Sequence, residues 1–96
     1  MIYVANAFSL GMVSFADLPN VRFAPIQRPV LDGLQWTSAV GHADTAALLG
    51  VPMARISVAL KQGDTLYVAQ LQGPRLPEGT TVLPEGSSFV WISVTI

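Results

Sequence analysis

The segment Val40-Gly41-His42-Ala43-Asp44-Thr45 leads into the clearest helix signal of this 96-residue chain. Residues 43–49 are good helix formers, tempered slightly by Thr45, and Gly50 stands where the left-handed residue that ends a helix is expected. The segment therefore predicts a short helix over 43–49, with His42 in its first turn beside free backbone N–H groups.

His42 is the single histidine of the sequence. Histidine is the side chain whose unperturbed pKa lies nearest neutrality, so this residue is the natural candidate for proton transfer. A lone histidine near a helix terminus is more often structural, and the residue alone favours that alternative. The start of a helix also attracts phosphate through unpaired N–H groups and the helix dipole. Both the structural and the catalytic interpretation of His42 stay open at this point.

Apolar and β-branched runs on either side of this segment predict strands. We expect a buried strand over 1–7, an edge strand over 21–26 that is closed by prolines, and a central or interface strand over 87–96. Two further helices are predicted, one of about two turns after an N-cap at Ser9 and one over 29–40. Asn6 and Ser9 would then lie at the carboxyl end of the first strand, at the edge where α/β proteins commonly bind ligands.

A β-hairpin is predicted for the second half of the chain. The runs 55–60 and 66–71 flank Gln62-Gly63-Asp64, which has turn chemistry. This hairpin would bring Gln70 close to Arg55, either as a satisfied surface pair or as one wall of a site. Beyond it, Leu-Pro-Glu-Gly occurs twice, at 76–79 and 83–86, and predicts two similar turns.

The composition favours a single small domain over residues 1–96 that associates with a second copy. Hydrophobic residues make up 51% and charged residues 11% of the chain, more apolar surface than a small monomer hides, so we expect a homodimer. Five cations and a net charge of −1 provide no basic stripe for long nucleic acid, although one or two arginines could hold a small anion.

Several classes of site are excluded by the residues that are missing. Without cysteine and with one histidine, no ordinary zinc site can form, and no P-loop or GxGxxG phosphate loop occurs, so we expect no cofactor. The carboxylates are scattered singly, which leaves no paired acid and base. No run reaches the length of a membrane span, and we expect a cytoplasmic protein.

The remaining groups suit metal-independent cleavage of an RNA phosphodiester. In that chemistry a ribose 2′-hydroxyl attacks its own phosphate, a histidine protonates the departing 5′-oxygen, and arginine stabilises charge on the phosphoryl oxygens. The substrate supplies the nucleophile, so few protein groups are needed.

Several segments, in this order, resemble the small viral and bacterial family of type III anti-CRISPR ring nucleases. They are Tyr3-Val4-Ala5-Asn6-Ala7-Phe8-Ser9, then Gly41-His42 with Thr45 downstream, then Leu66-Tyr67-Val68-Ala69-Gln70 and Arg75-Leu76-Pro77-Glu78-Gly79. The resemblance implies an α/β (α+β) fold, a small mixed β-sheet flanked by short helices, in a two-fold homodimer. It also implies degradation of cyclic tetra-adenylate, the second messenger of type III CRISPR immunity.

Residue by residue, the resemblance implies that His42 is the general acid and Arg75 a phosphate-stabilising catalytic residue. Asn6 and Ser9 would position the ligand, and Arg55 and Gln70 would line its pocket. This sequence departs from the family pattern by an insertion at Gly73-Pro74, which bears on the position of Arg75, and by a shorter segment over 80–88. Two alternatives stay open: a sponge that binds cyclic oligonucleotide without cutting it, and a viral structural or nucleic-acid-associated protein of the same fold.

Overall fold

The protein is built on a five-stranded mixed sheet. The computed structural model describes residues 1–74 and 76–96. Its strands are β1 (Ile2–Ala5), β2 (Arg22–Ile26), β3 (Thr37–Ala39), β4 (Thr65–Gln72) and β5 (Ser88–Thr95), in the spatial order β2-β5-β4-β1-β3. Strand β1 runs parallel to both β3 and β4, whereas β5 is antiparallel to β4 and β2. The helix α1 (Ala43–Leu49) and the 3₁₀ helices Leu10–Met12 and Phe15–Asn20 are all short. The predicted fold class, a small mixed sheet with short helices, is confirmed.

The alternation of side chains along the strands gives the sheet two buried faces. One face, here called the helix face, packs Val4, Ala69 and Trp91 against Ala46 and Leu49 of α1. The opposite face, here called the loop face, is covered by irregular segments. Its buried residues are Ala5, Val13, Val58, Leu60, Leu66, Val68 and Val94. Every residue of β4 is therefore assigned to one face or the other by its place in the alternation.

The predicted helix over 43–49 is present with the expected end. Gly50 has φ 71°, in the left-handed region, and the Val51 N–H donates to the Ala46 carbonyl, which together form a Schellman ending. The first strand, the edge strand β2 and the central strand β5 are confirmed as well. Both Leu-Pro-Glu-Gly segments form turns of one type, with positive φ at Gly79 and Gly86.

The predicted helix over 29–40 is wrong. Gly33 has φ 78° within a turn that the Leu34 N–H closes onto the Leu31 carbonyl, and this left-handed step ends any helical path. The segment beyond it becomes β3, because the free edge of β1 offers a complete ladder to Thr37–Ala39. Likewise, the helix after Ser9 is reduced to the 3₁₀ turn Leu10–Met12, and the Ser9 side chain makes no capping hydrogen bond.

The predicted hairpin over 55–71 is also wrong, although its turn exists. The Asp64 N–H donates to the Lys61 carbonyl, as turn chemistry requires. Strand β4, however, has β1 on one side and β5 on the other, so no edge is free for residues 55–60. That segment crosses the loop face instead, where Val58 and Leu60 are buried and the Leu60 N–H donates to the Met12 carbonyl at 2.7 Å.

Candidate functional site

Polar side chains collect where the three parallel strands end. Because β3, β1 and β4 run in one direction, their carboxyl ends share one edge of the sheet. Asn6 directly follows β1, and His42 follows β3 after the bridge residue Val40. This edge is the position at which open α/β sheets bind ligands.

His42 is the N-cap of α1. The sequence predicts it in the first turn of this helix, and the structure places it immediately before that turn. Its Nδ1 atom accepts a hydrogen bond from the Thr45 backbone N–H at 3.3 Å, and the Thr45 hydroxyl lies 3.3 Å from the same nitrogen. A ring nitrogen that accepts from a backbone N–H carries no proton, so the neutral ring is protonated on Nε2. The imidazole is solvent-exposed, and within residues 1–74 and 76–96 its Nε2 has no hydrogen-bond partner.

Arg55 lies beside His42 because the backbone of residues 53–54 pairs with Val40, two residues before the histidine. The Ala54 N–H donates to the Val40 carbonyl at 2.9 Å, and the Arg55 Nε–H donates to the Gly41 carbonyl at 2.9 Å. Gly41 allows this approach, since a Cβ atom at that position would lie 3.3 Å from Arg55 Cγ. A fixed cation therefore stands next to the histidine.

Two cavities meet at His42. The first, of about 200 Å³, lies over the helix face and is lined by His42 with Asn6, Thr45, Ala69, Leu71, Leu76 and Phe89. The second, of about 610 Å³, lies on the Arg55 side and is lined by His42 with Ala43, Asp44, Arg55, Leu76, Glu78 and Gly79. His42 and Leu76 belong to both, so the imidazole stands between a partly apolar cavity and a cavity lined by charged side chains.

The structure brings together three of the residues predicted for the site: Asn6, His42 and Arg55. Ser9 is exposed at the start of a 3₁₀ turn and lines neither cavity. Gln70 is exposed on the loop face, since its neighbours Ala69 and Leu71 face the first cavity, and the predicted pairing with Arg55 is lost with the hairpin. Arg75 lies outside the described residues, and its role stays a prediction.

Other residues of the site were not identified from the sequence. The Gly79 backbone N–H donates to Asp44 Oδ2 at 2.9 Å and joins the loop after β4 to the start of α1. Leu76, Leu71 and Phe89 supply apolar walls. No local pattern signals a contact between residues 35 positions apart, whereas the spacing of His42 and Thr45 does match that of a helix cap.

Two further findings concern the described residues, 1–74 and 76–96. No three side chains among histidine, aspartate and glutamate are grouped there so that they could hold a metal ion. No helix has the length and apolar composition that crossing a membrane requires.

Comparison with known proteins gives the chain a family. The STIV B116-like family model matches residues 2–86. The solved structure of B116 of Sulfolobus turreted icosahedral virus matches with a TM-score of 0.76 at 20% sequence identity, covering 99% of this chain and 98% of that one. No curated protein matches the sequence. At this identity the structural likeness supports the fold, and the family model supports membership. The chain belongs to the STIV B116-like family.

Proposed function

We propose that this protein is a homodimeric, metal-independent ring nuclease that cleaves cyclic tetra-adenylate and thereby switches off type III CRISPR signalling. The observation that carries the proposal is His42, whose Nδ1 is engaged by Thr45 and whose ring lines two cavities beside Arg55. A histidine oriented through one nitrogen and open at the other is the arrangement that general acid catalysis needs.

The reaction uses a nucleophile from the substrate. The 2′-oxygen of one ribose attacks the phosphorus on its own 3′-oxygen, and the bond from phosphorus to the next 5′-oxygen breaks. As the acid, His42 is the imidazolium: its Nδ1–H then donates to the Thr45 hydroxyl, 3.3 Å away, in place of the bond from the Thr45 N–H. Its Nε2 gives the departing 5′-oxygen a proton and leaves the neutral ring, while the proton of the 2′-hydroxyl passes to solvent. Two such cleavages of a ring of four nucleotides give two linear di-adenylates, each ending in a 2′,3′-cyclic phosphate.

Arg55 and Asn6 complete the described part of the proposed site. The Arg55 guanidinium, held by the Gly41 carbonyl, stabilises the charge that builds on the phosphoryl oxygens. The Asn6 amide, in the wall of the smaller cavity, binds ribose or phosphate. The resemblance to ring nucleases assigns phosphate stabilisation to Arg75 and ligand positioning to Ser9 and Gln70, and these roles belong to the proposal.

The size and symmetry of the substrate support the homodimer. A ring of four nucleotides exceeds the 200 Å³ cavity at His42, and a two-fold dimer would offer a two-fold ring one histidine for each scissile phosphate. Exposed apolar side chains are available to form an interface. They include Phe15, Val30, Leu10 and Phe23, of which Phe15 is 89% exposed.

The experiment that tests the proposal is incubation of the purified protein with cyclic tetra-adenylate in EDTA, followed by chromatography of the products. We expect linear di-adenylates with 2′,3′-cyclic phosphate ends. An intact ring that co-elutes with the protein would contradict cleavage and indicate the sponge. An intact ring that stays free would contradict both, and ring-independent duplex binding would then favour a nucleic-acid-associated protein of this fold.

A further inference from the structure

The loop between β4 and β5 is closed at its base. The last residue pair of the two strands joins Gln72 to Ser88. Directly beyond it, Gly73 has φ 111° and touches the returning chain, where a Cβ atom would lie 3.0 Å from the Gly86 carbonyl oxygen. The loop therefore leaves and rejoins the sheet at one point, and the position of its far part depends on contacts made further out.

Such a contact exists at the first of the two Leu-Pro-Glu-Gly turns. The Thr80 N–H closes the turn onto the Pro77 carbonyl at 3.2 Å, and Gly79 has φ 78°. The turn's own hydrogen bond uses the Thr80 N–H, and the Gly79 N–H donates to Asp44 Oδ2 at 2.9 Å. The acceptor is a carboxylate, so this hydrogen bond is charge-assisted.

The second turn has the same shape without that attachment. The Ser87 N–H closes it onto the Pro84 carbonyl, and Gly86 has φ 83°. Within residues 1–74 and 76–96, the Gly86 N–H makes no hydrogen bond to a side chain. The two turns thus form a matched pair in one loop, one fastened to α1 and one not.

We propose that Asp44 is a positioning residue that latches the 76–80 segment over His42. The proposal rests on the proposed function and deepens it. Leu76 lines both cavities at His42, and Glu78 and Gly79 line the larger one. The hydrogen bond from Gly79 to Asp44 therefore fixes the cavity wall against which the cyclic tetra-adenylate would bind. Asp44 lines the larger cavity but not the smaller one, where Asn6 and Thr45 face the histidine. Its Oδ2 is engaged by the Gly79 N–H, so the proposal assigns Asp44 an action through the loop.

The test compares Asp44→Ala with Asp44→Asn. Alanine removes the acceptor, and we expect KM for cyclic tetra-adenylate to rise about tenfold with little change in the single-turnover rate at saturation. Asparagine keeps an acceptor oxygen in the same place, so its KM should stay within about threefold of wild type. An asparagine variant as weak as the alanine variant, or an alanine variant with unchanged KM, would overturn the latch.

Two further arms separate the latch from the proposed function and from a general loss of structure. Gly79→Ala strains the attached turn and should reproduce the Asp44→Ala effect, whereas Gly86→Ala strains the turn at the base of the loop, which is not attached to α1, and should change KM much less. Amide exchange at Gly79, followed by NMR, should be about tenfold faster in Asp44→Ala than in wild type. If the wild type does not cut the ring, the proposed function fails, and the exchange experiment still decides whether Asp44 holds the turn.

Discussion

The two ends of α1 lie over one face of the sheet and satisfy their polar groups in different ways. At the carboxyl end, the Arg28 guanidinium donates to the Leu49 carbonyl at 2.6 Å and lies 5.9 Å from the Trp91 ring centre, so two contacts tie it to the helix and the sheet. At the amino end, His42 Nδ1 accepts a hydrogen bond from the Thr45 N–H, and Nε2 has no partner among the described residues.

On the proposed function, the difference separates a polar group that serves the fold from one that serves cleavage. Arg28 is an exposed cation whose two contacts, with the Leu49 carbonyl and with the Trp91 ring, hold the end of α1 to the sheet and serve the fold. His42 and Arg55 are anchored by backbone groups and keep their remaining donors toward open cavities. Substitutions at the two ends should therefore separate stability from cleavage.

The largest effect is expected for His42→Ala. Loss of a general acid lowers cleavage of cyclic tetra-adenylate by about 10²–10⁴ in single-turnover rate. The lost helix cap costs about 1 kcal/mol of unfolding free energy. His42→Asn is the matched control, because asparagine caps helices well but donates no proton at this position. It should keep the stability and lose the cleavage, and full activity in this variant would contradict the account.

Arg55→Ala should follow, with cleavage reduced by about 10² because a fixed donor to the phosphoryl oxygens is lost. Arg22→Ala is the control, since Arg22 is an exposed cation that contacts the carbonyls of Pro19 and Val21. Gly41→Ala should lower the cleavage rate less, by displacing the Arg55 side chain from its contact with the Gly41 carbonyl. Equal rates for the Arg55 and Arg22 variants would remove Arg55 from the reaction.

At the other end of α1, Arg28→Ala should lower the unfolding free energy by about 1–3 kcal/mol, measured by urea denaturation. It removes both the hydrogen bond to Leu49 and the stacking on Trp91. The cleavage rate of the folded fraction should not change. If Arg28→Ala were as stable as wild type but cleaved more slowly, the assignment of Arg28 to stability and not to cleavage would be wrong.

The smallest expected change in stability concerns Asp64, which lies away from both ends of α1. The hydrogen bond from the Met1 amino group, and that from the Lys61 N–H, lower the pKa of Asp64. A carboxylate whose folded-state pKa is lowered stabilises the protein above its unfolded pKa, and this contribution is lost as pH falls through the folded value. Asp64→Asn should therefore cost at most about 1 kcal/mol near neutral pH, with the difference from wild type shrinking below about pH 4. A difference that grows on acidification would contradict the sign.

Local patterns explain which parts of this molecule the sequence predicts. Residues 43–50 and β5 form as expected because their signals, helix formers with a terminal glycine and a long β-rich run, need no distant partner to be recognised. Residues 55–60 have a strand-like alternation that correctly buries Val58 and Leu60. Their pairing with β4 fails because β1 and β5 occupy both of its edges, which no local pattern reveals.

The site follows the same division. Asn6 is predicted because it stands at the end of the first strand, and His42 because it is the single histidine and stands at the start of the helix 43–49. Arg55 reaches the histidine by a different path from the predicted one, through the Gly41 carbonyl rather than through a hairpin with Gln70. The contact of Asp44 with Gly79 depends on where a loop returns, so it emerges from the three-dimensional structure alone.

The central claim is that His42 gives its proton to a leaving 5′-oxygen as well as capping a helix. The most direct test uses cyclic tetra-adenylate in which sulfur replaces the bridging 5′-oxygen at the scissile positions, because a thiolate leaves without protonation. The account predicts that His42→Asn cleaves the natural ring about 10²–10⁴ times more slowly than wild type and the sulfur-bridged ring at nearly the wild-type rate. An equal defect on both rings, or none on either, would contradict it.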